Sequence, residues 1–228
     1  MLILDHVQYT YPNTKQSFNF NIKVPDTGIT ALLGANGAGK STLIRLMALL
    51  NNADHGTISF NNRTVTSDAL PEDFYQEVGV VLQDPATMLF NTTVYDELAY
   101  GPNQIMPSEK VIQLVNEIAT EFKIADLLTQ TPASLSGGQK KLVSIACIVI
   151  NKPSLLILDE PFDGLSVANI NHLKNILVKR SATTKIIIAH HALASIIDMI
   201  DDAIIIEDRQ NGDLITGKEQ LINLSGLY

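Results

Sequence analysis

The chain of 228 residues reads as a single α/β domain built on a mainly parallel sheet covered on both faces. Three observations predict this. Apolar runs with little polar alternation, Ile29–Leu33, Val78–Leu82, Leu155–Asp159 and Lys185–Ala189, fit strands buried on both sides. Helical patterns fall between such runs, as parallel pairing requires. A glycine-rich turn, Gly34–Ser41, joins the first run to a helix.

Taken in order, residues 2–33 form short strands that end at Gly34. Ser41–Leu50 (STLIRLMALL) is a helix, followed by strands at Thr57–Phe60 and Val78–Leu82. From Asp84 to about Ala133 the spacing becomes helical, most clearly in Ser108–Phe122, with Ser108 as its cap. Thr93 and Asp96 have the spacing of a capping box. A helix over Ser136–Ile150 follows, then the strand at Leu155–Asp159 and a helix near Ser166–Lys179. Strands at Lys185–Ala189 and Ala203–Glu207 and a hairpin-like stretch around Asn211–Gly217 close the chain. Residues 1–83 and 151–228 therefore form the core of one domain, 1–228, and about 84–150 an inserted helical lobe.

Composition narrows the function. Hydrophobic residues make up 46% of the chain, enough for a sizeable core, and charged residues only 18%, which hints at surface covered by partners. The net charge is −8 and no Lys/Arg block occurs, which excludes nucleic-acid binding as a main role. No apolar run reaches the roughly 18 residues of a membrane span, and MLILDHVQYTYP lacks a charged leader and a cleavage site. A lone Cys147 fits a reducing cytosol.

Three motifs carry chemistry. Gly34–Ser41 (GANGAGKS) matches the phosphate-loop pattern between strand and helix. Its glycines let backbone N–H groups face phosphate oxygens, and the helix start adds positive partial charge. Lys40 is placed to reach the β- and γ-phosphates and Ser41 to bind Mg²⁺. Asn36, Gly37, Gly39 and Thr42 complete the ATP-binding set. Leu155–Leu158 delivers Asp159 and Glu160 at a strand end, a costly place for two carboxylates unless they work. Asp159 fits a Mg²⁺ contact and Glu160 the group that polarises attacking water. Leu135–Gln139 (LSGGQ) combines a capping pattern, Ser136 with Gln139, and two glycines, Gly137 and Gly138, that leave a helix start bare for a phosphate.

These three motifs, in this order and over nearly the whole chain, resemble the ATP-binding-cassette (ABC) ATPases. The resemblance implies a P-loop NTPase core with N-terminal antiparallel strands and an inserted helical subdomain. It implies that Ser136, Gly137, Gly138 and Gln139 contact ATP held by an opposite subunit, so that two cassettes close on two nucleotides and hydrolysis reopens them. Gln83 would sense Mg²⁺ and the attacking water and hinge the lobe. His190 would contact the γ-phosphate, with His191 standing where the family often has Asp. Tyr11 would stack on adenine, with Tyr9 as the competitor.

The stretch from Gln83 to Pro102 (QDPATMLFNTTVYDELAYGP) is similar to the energy-coupling-factor and cobalt-type import ATPases. That likeness implies integral membrane partners, docked at a groove that includes Met88, Leu89 and Phe90, and a peripheral place on the cytoplasmic face. It also implies ATP-driven import of a vitamin or transition-metal ion. Ser166 departs from the family's Gly-Leu-Asp, which removes a carboxylate from the expected dimer interface. The departure points to reduced or asymmetric hydrolysis, and, with a homo- or heterodimer both open, it tilts the pairing towards a non-identical cassette. The alternatives are a soluble, non-transport ABC ATPase and a weakly catalytic partner in a heterodimeric pair.

Overall fold

The computed structural model describes residues 1–12, 16–207, 210–216, 220, 221 and 223. Among them run strands β1 (Leu2–Thr10), β2 (Ser17–Val24), β3 (Ile29–Leu33), β4 (His55–Phe60), β5 (Arg63–Val65), β6 (Val78–Val81), β7 (Leu155–Asp159), β8 (Lys185–Ala189), β9 (Asp202–Glu207) and β10 (Gln210–Thr216). The helices are α1 (Lys40–Met47), α2 (Phe74–Glu77), α3 (Val94–Tyr100), α4 (Ser108–Glu121), α5 (Gly137–Val149), α6 (Val167–Arg180) and α7 (Leu193–Ile196).

One sheet holds the strands in the order β5-β4-β1-β2-β10-β9-β3-β8-β7-β6. From β9 to β6 all pairings are parallel, in the register Ile29↔Ile186, Leu155↔Lys185 and Val78↔Leu155. On the other side β1 pairs antiparallel with β2 and with β4. The two parts meet where β10, antiparallel to β9, touches β2 at Gln210↔Asn19. Half the strands are thus N-terminal or hairpin strands, a larger antiparallel share than the sequence shows. Of the expected hairpin stretch, Gly217 lies outside the described residues.

The apolar strands lack polar alternation because each feeds two cores. Ile29, Ala31 and Leu33 of β3 face one cluster, with Leu156 and Leu158 of β7 and Ile186 and Ile188 of β8. Leu32, Ile157 and Ile187 face the other, with α1 and the antiparallel strands. Burial of such a side chain contributes roughly 1.5–3 kcal/mol before chain entropy is subtracted. The first cluster continues into Leu98, Val115, Phe122, Ile145 and Val149, which seats α3, α4 and α5 against the parallel strands.

Between β6 and β7 the chain is helical, with short 3-10 turns at Pro85–Met88, Pro102–Gln104, Ala125–Leu127 and Pro132–Ser134. Both expected capping boxes are present. The Thr93 hydroxyl accepts from the Asp96 N–H at 3.1 Å, and the Thr93 N–H donates to the Asp96 carboxylate at 3.1 Å. Ser136 and Gln139 do the same at 3.3 and 2.9 Å. Ser108 is not a cap: Pro107 holds that position in extended geometry and Ser108 is the first helical residue. Residue 111 is Val, so no box can form around Ser108. The first helix also stops early, at Met47, because Leu49 takes a left-handed φ of 54°.

Candidate functional site

The C-terminal ends of β3, β8 and β7 open on one side, where ligands of parallel sheets bind. Between them lies a half-open cleft of about 270 Å³. Asn36, Gly37, Gly39, Lys40, Ser41 and Thr42 form its floor, Gln83, Asp159 and Glu160 one wall, and Tyr11, Gln16 and Phe18 the other. A larger, more open depression near Glu117 and Arg180 lies between α4 and the end of α6 and holds none of the motif residues.

The loop is shaped for close approach of a ligand. Gly39 sits at φ 116°, and a Cβ there would lie 2.8 Å from the Phe18 ring, so only glycine fits. Lys40 folds back on the loop, donating to the carbonyls of Gly34 at 2.7 Å and Ala35 at 3.2 Å. Its ammonium is thus stored where phosphate oxygens can take over those bonds. Ser41 Oγ donates to Asp159 Oδ2 at 3.2 Å. Burial, with the neighbouring Glu160 charge, pushes Asp159 above its ordinary value despite the Ser41 bond. A hydroxyl, a desolvated carboxylate and the nearby Gln83 suit a hard, oxygen-seeking cation such as Mg²⁺, whose charge would favour the ionised Asp159.

Glu160 sits at φ 47°, a strained position for a non-glycine residue, held by its N–H on the Ala189 carbonyl at 2.9 Å. Its Oε2 lies 2.6 Å from His190 Nδ1 and 3.1 Å from His191 Nδ1. Burial pushes Glu160 up, but the His190 bond and the two imidazoles outweigh it and hold the carboxyl below its ordinary value. His190 is itself buried and does not line the cleft; it stands behind Glu160, edge-on to Phe162. Its reach into the cleft runs through Glu160.

Tyr11 shares a hydrogen bond of 3.1 Å with Thr42 Oγ1 at the cleft wall, and Tyr9 meets it edge-on at 5.0 Å from outside. The arrangement places Tyr11, not Tyr9, beside the loop. Ser136 and Gly137 are exposed and lie away from the cleft, as do Gly138 and Gln139. Ser166 caps α6 through the Asn169 N–H at 3.3 Å. Met88 lines a second, apolar groove of about 290 Å³ with Leu50, Tyr75, Leu82 and Ile148. Both Met88 and Leu89 pack on the core, Leu89 does not line the groove, and Phe90, 68% exposed, meets Tyr100 edge-on.

Sequence reasoning missed Lys141. Lys141 is buried and its ammonium donates to the Gln83 carbonyl at 2.6 Å, tying α5 to the segment after β6 where the helical lobe begins. Burial pulls it below its ordinary value, while Asp163, Asp159, Glu160 and Asp84 oppose that shift. No short motif signals a contact across 58 residues.

A phosphate loop on a central parallel strand, faced by carboxylates from β7 and joined to a helical lobe that starts a bare helix elsewhere, defines an ATP-binding cassette. Residues 18–163 match the family described as ABC transporter, and the chain belongs to that family. Its activity is ATP hydrolysis coupled to transport. The chain is 34% identical to the nickel import ATP-binding protein LarO of Lactiplantibacillus plantarum, over 84% of this chain and 82% of that one. It is 32% identical to the energy-coupling factor transporter ATP-binding protein EcfA1 of Lactobacillus acidophilus, over 97% of this chain and 82% of that one. The solved structure of cbiO1 from Clostridium perfringens, part of the ABC transporter complex cbiONQ, superposes with a TM-score of 0.83 at 25% identity, covering 99% and 92% of the two chains.

Proposed function

We propose that this chain is the cytoplasmic motor subunit of an energy-coupling-factor type importer for a vitamin or transition-metal ion. The observation that carries the reading is the separation of two half-sites. The cleft holds the loop, Asp159, Glu160 and Gln83 but none of Ser136, Gly137, Gly138 and Gln139, of which Ser136 and Gly137 are exposed. A second cassette brings its own helix start to this cleft, and this chain's start serves the partner.

Within the closed pair, ATP lies with adenine against Tyr11 and its phosphates in the loop. Lys40 leaves the Gly34 and Ala35 carbonyls for the β- and γ-oxygens. Ser41, Asp159 and Gln83 hold Mg²⁺, which supplies charge neutralisation on the phosphates when bound. Glu160 orients and polarises the attacking water, and His190 fixes the Glu160 carboxylate in place. Hydrolysis removes the bridging γ-phosphate and the cassettes part.

The name of LarO, a nickel import ATP-binding protein, supports the import reading, and that of EcfA1 supports the energy-coupling-factor type. So does the apolar groove beside Met88, which suits a helix of an integral membrane subunit, with exposed Phe90 at a neighbouring position. Among the described residues no helix is long and apolar enough to cross a membrane, in keeping with a peripheral chain held by such partners.

Glu160→Gln tests the core of the proposal. The variant is expected to bind ATP and accumulate as a dimer, with turnover reduced at least about a hundredfold. Unchanged turnover would remove Glu160 from its assigned role.

A further inference from the structure

Four side chains converge at the far edge of the cleft. Glu160, Asp163, His190 and His191 each offer one ligand atom, and these atoms all lie within 4.8 Å of one another. Two come from the turn after β7 and two from the end of β8, so adjacent parallel strands deliver them together.

The contacts around His190 tie the cluster together. His190 Nδ1 lies 2.6 Å and His191 Nδ1 3.1 Å from the same Glu160 oxygen, so two imidazole nitrogens converge on one carboxylate. Ser195 Oγ, 2.7 Å from the Ala192 carbonyl, lies 3.1 Å from His190 Nε2 on the outer side of the ring. A divalent ion would answer both imidazoles and the carboxylate at once.

The ligand chemistry selects the metal. Two imidazoles and two carboxylates make a mixed nitrogen and oxygen set, which suits zinc, nickel or cobalt better than magnesium or calcium. The two carboxylate charges balance a divalent ion. The spread of up to 4.8 Å exceeds the roughly 3.3 Å between ligands on a tetrahedral ion, so closure needs a shift on the order of an ångström. Asp163 and His191 are exposed and can close in, while Glu160 and His190, 2.6 Å apart, must part by somewhat less than about an ångström. Ser195 supplies an outer partner at His190 Nε2 that orients the ring, as metal-bound histidines usually have.

We propose that Glu160, Asp163, His190 and His191 bind a divalent transition-metal ion of the zinc, nickel and cobalt class, and that its binding withdraws Glu160 from ATP hydrolysis. The site shares no ligand with Ser41, Asp159 and Gln83. The regulatory half rests on the role assigned to Glu160 above; the binding half does not.

Cobalt(II) titration of the untagged full chain, free of nucleotide and Mg²⁺, tests the binding half. A saturable visible band at one ion per chain is expected, displaced by zinc. It should be lost in His191→Ala and Asp163→Asn, whose circular dichroism stays unchanged, and retained in Ser41→Ala. No saturable band, or a band that survives in both ligand variants, overturns the site. Zinc inhibition of ATP hydrolysis tests the regulatory half: His191→Ala should need at least about tenfold more zinc for half inhibition. Equal zinc sensitivity in the variant overturns that half. Full hydrolysis by Glu160→Gln would instead overturn the role of Glu160 and with it the regulatory half, while cobalt binding still decides the site.

Discussion

Lys141 puts a charge where solvent cannot reach it, and the cost is met locally. Its ammonium is 3% exposed, bonds the Gln83 carbonyl at 2.6 Å and lies in the field of four carboxylates. Replacement by Met removes that bond but also removes the burial penalty, so the two changes largely offset in stability. We predict for Lys141→Met a melting point within about 4 °C of the parent. Helix α5 and the Gln83 segment lose their tie, so turnover at saturating ATP should fall about tenfold with KM within about twofold. Steady-state kinetics beside a thermal melt check this, and unchanged turnover would sink the coupling role. The same scale separates what sequence could reveal. Lys40, Ser41 and Glu160 announce themselves by local pattern, whereas Lys141 does not, because its partner is remote in the chain.

Helix α5 owes its position to a missing side chain. A Cβ on Gly79 of β6 would lie 2.3 Å from Ile148 Cγ2 and 3.1 Å from Pro153 Cγ, so sheet and helix meet in direct contact. Gly79→Ala must push α5 outward or force Ile148 off its rotamer. Such overpacking costs about 1–3 kcal/mol, and trimming Ile148 to Ala in the same chain should recover part of it. Urea unfolding of the two single variants and the double variant measures the coupling. Additive losses would show that the crowding is relieved elsewhere. Element starts follow local chemistry with similar clarity. Thr93 and Ser136 cap because Asp96 and Gln139 complete their boxes. Ser108 has no such partner, and Pro107 already sets the extended geometry before the helix.

Across the molecule, the buried Lys185 makes stability depend on pH. It begins β8, is 5% exposed, and donates to the Thr27 carbonyl at 2.8 Å and Thr30 Oγ1 at 2.6 Å. Burial lowers its pKa from 10.5 to about 8. Between those values the unfolded chain binds a proton that the folded chain does not, so this group makes stability rise with pH. Below about 8 both states are charged and the burial cost is present in full. Lys185→Met should flatten the rise, by up to on the order of 1 kcal/mol per pH unit. Urea midpoints of both proteins across the window compare the slopes, and equal slopes would assign the effect to another group.

The sequence alone determined the parallel strands and the motif chemistry. Strand identity rests on unbroken apolar runs, and β3, β7 and β8 match their expected bounds residue for residue. The loop, the acidic strand end and LSGGQ are local patterns, so each is legible without a fold. Tertiary structure decided which of them share a space. The order β3-β8-β7 brings Lys40, Asp159 and Glu160 to one cleft, sets His190 behind Glu160 and leaves Ser136 outside. It also put Tyr11 rather than Tyr9 on the cleft wall and gathered His191 and Asp163 beside Glu160. The reason is physical: hydrogen bonding and periodicity act between near neighbours in the chain, while strand order is set by how whole faces bury against each other.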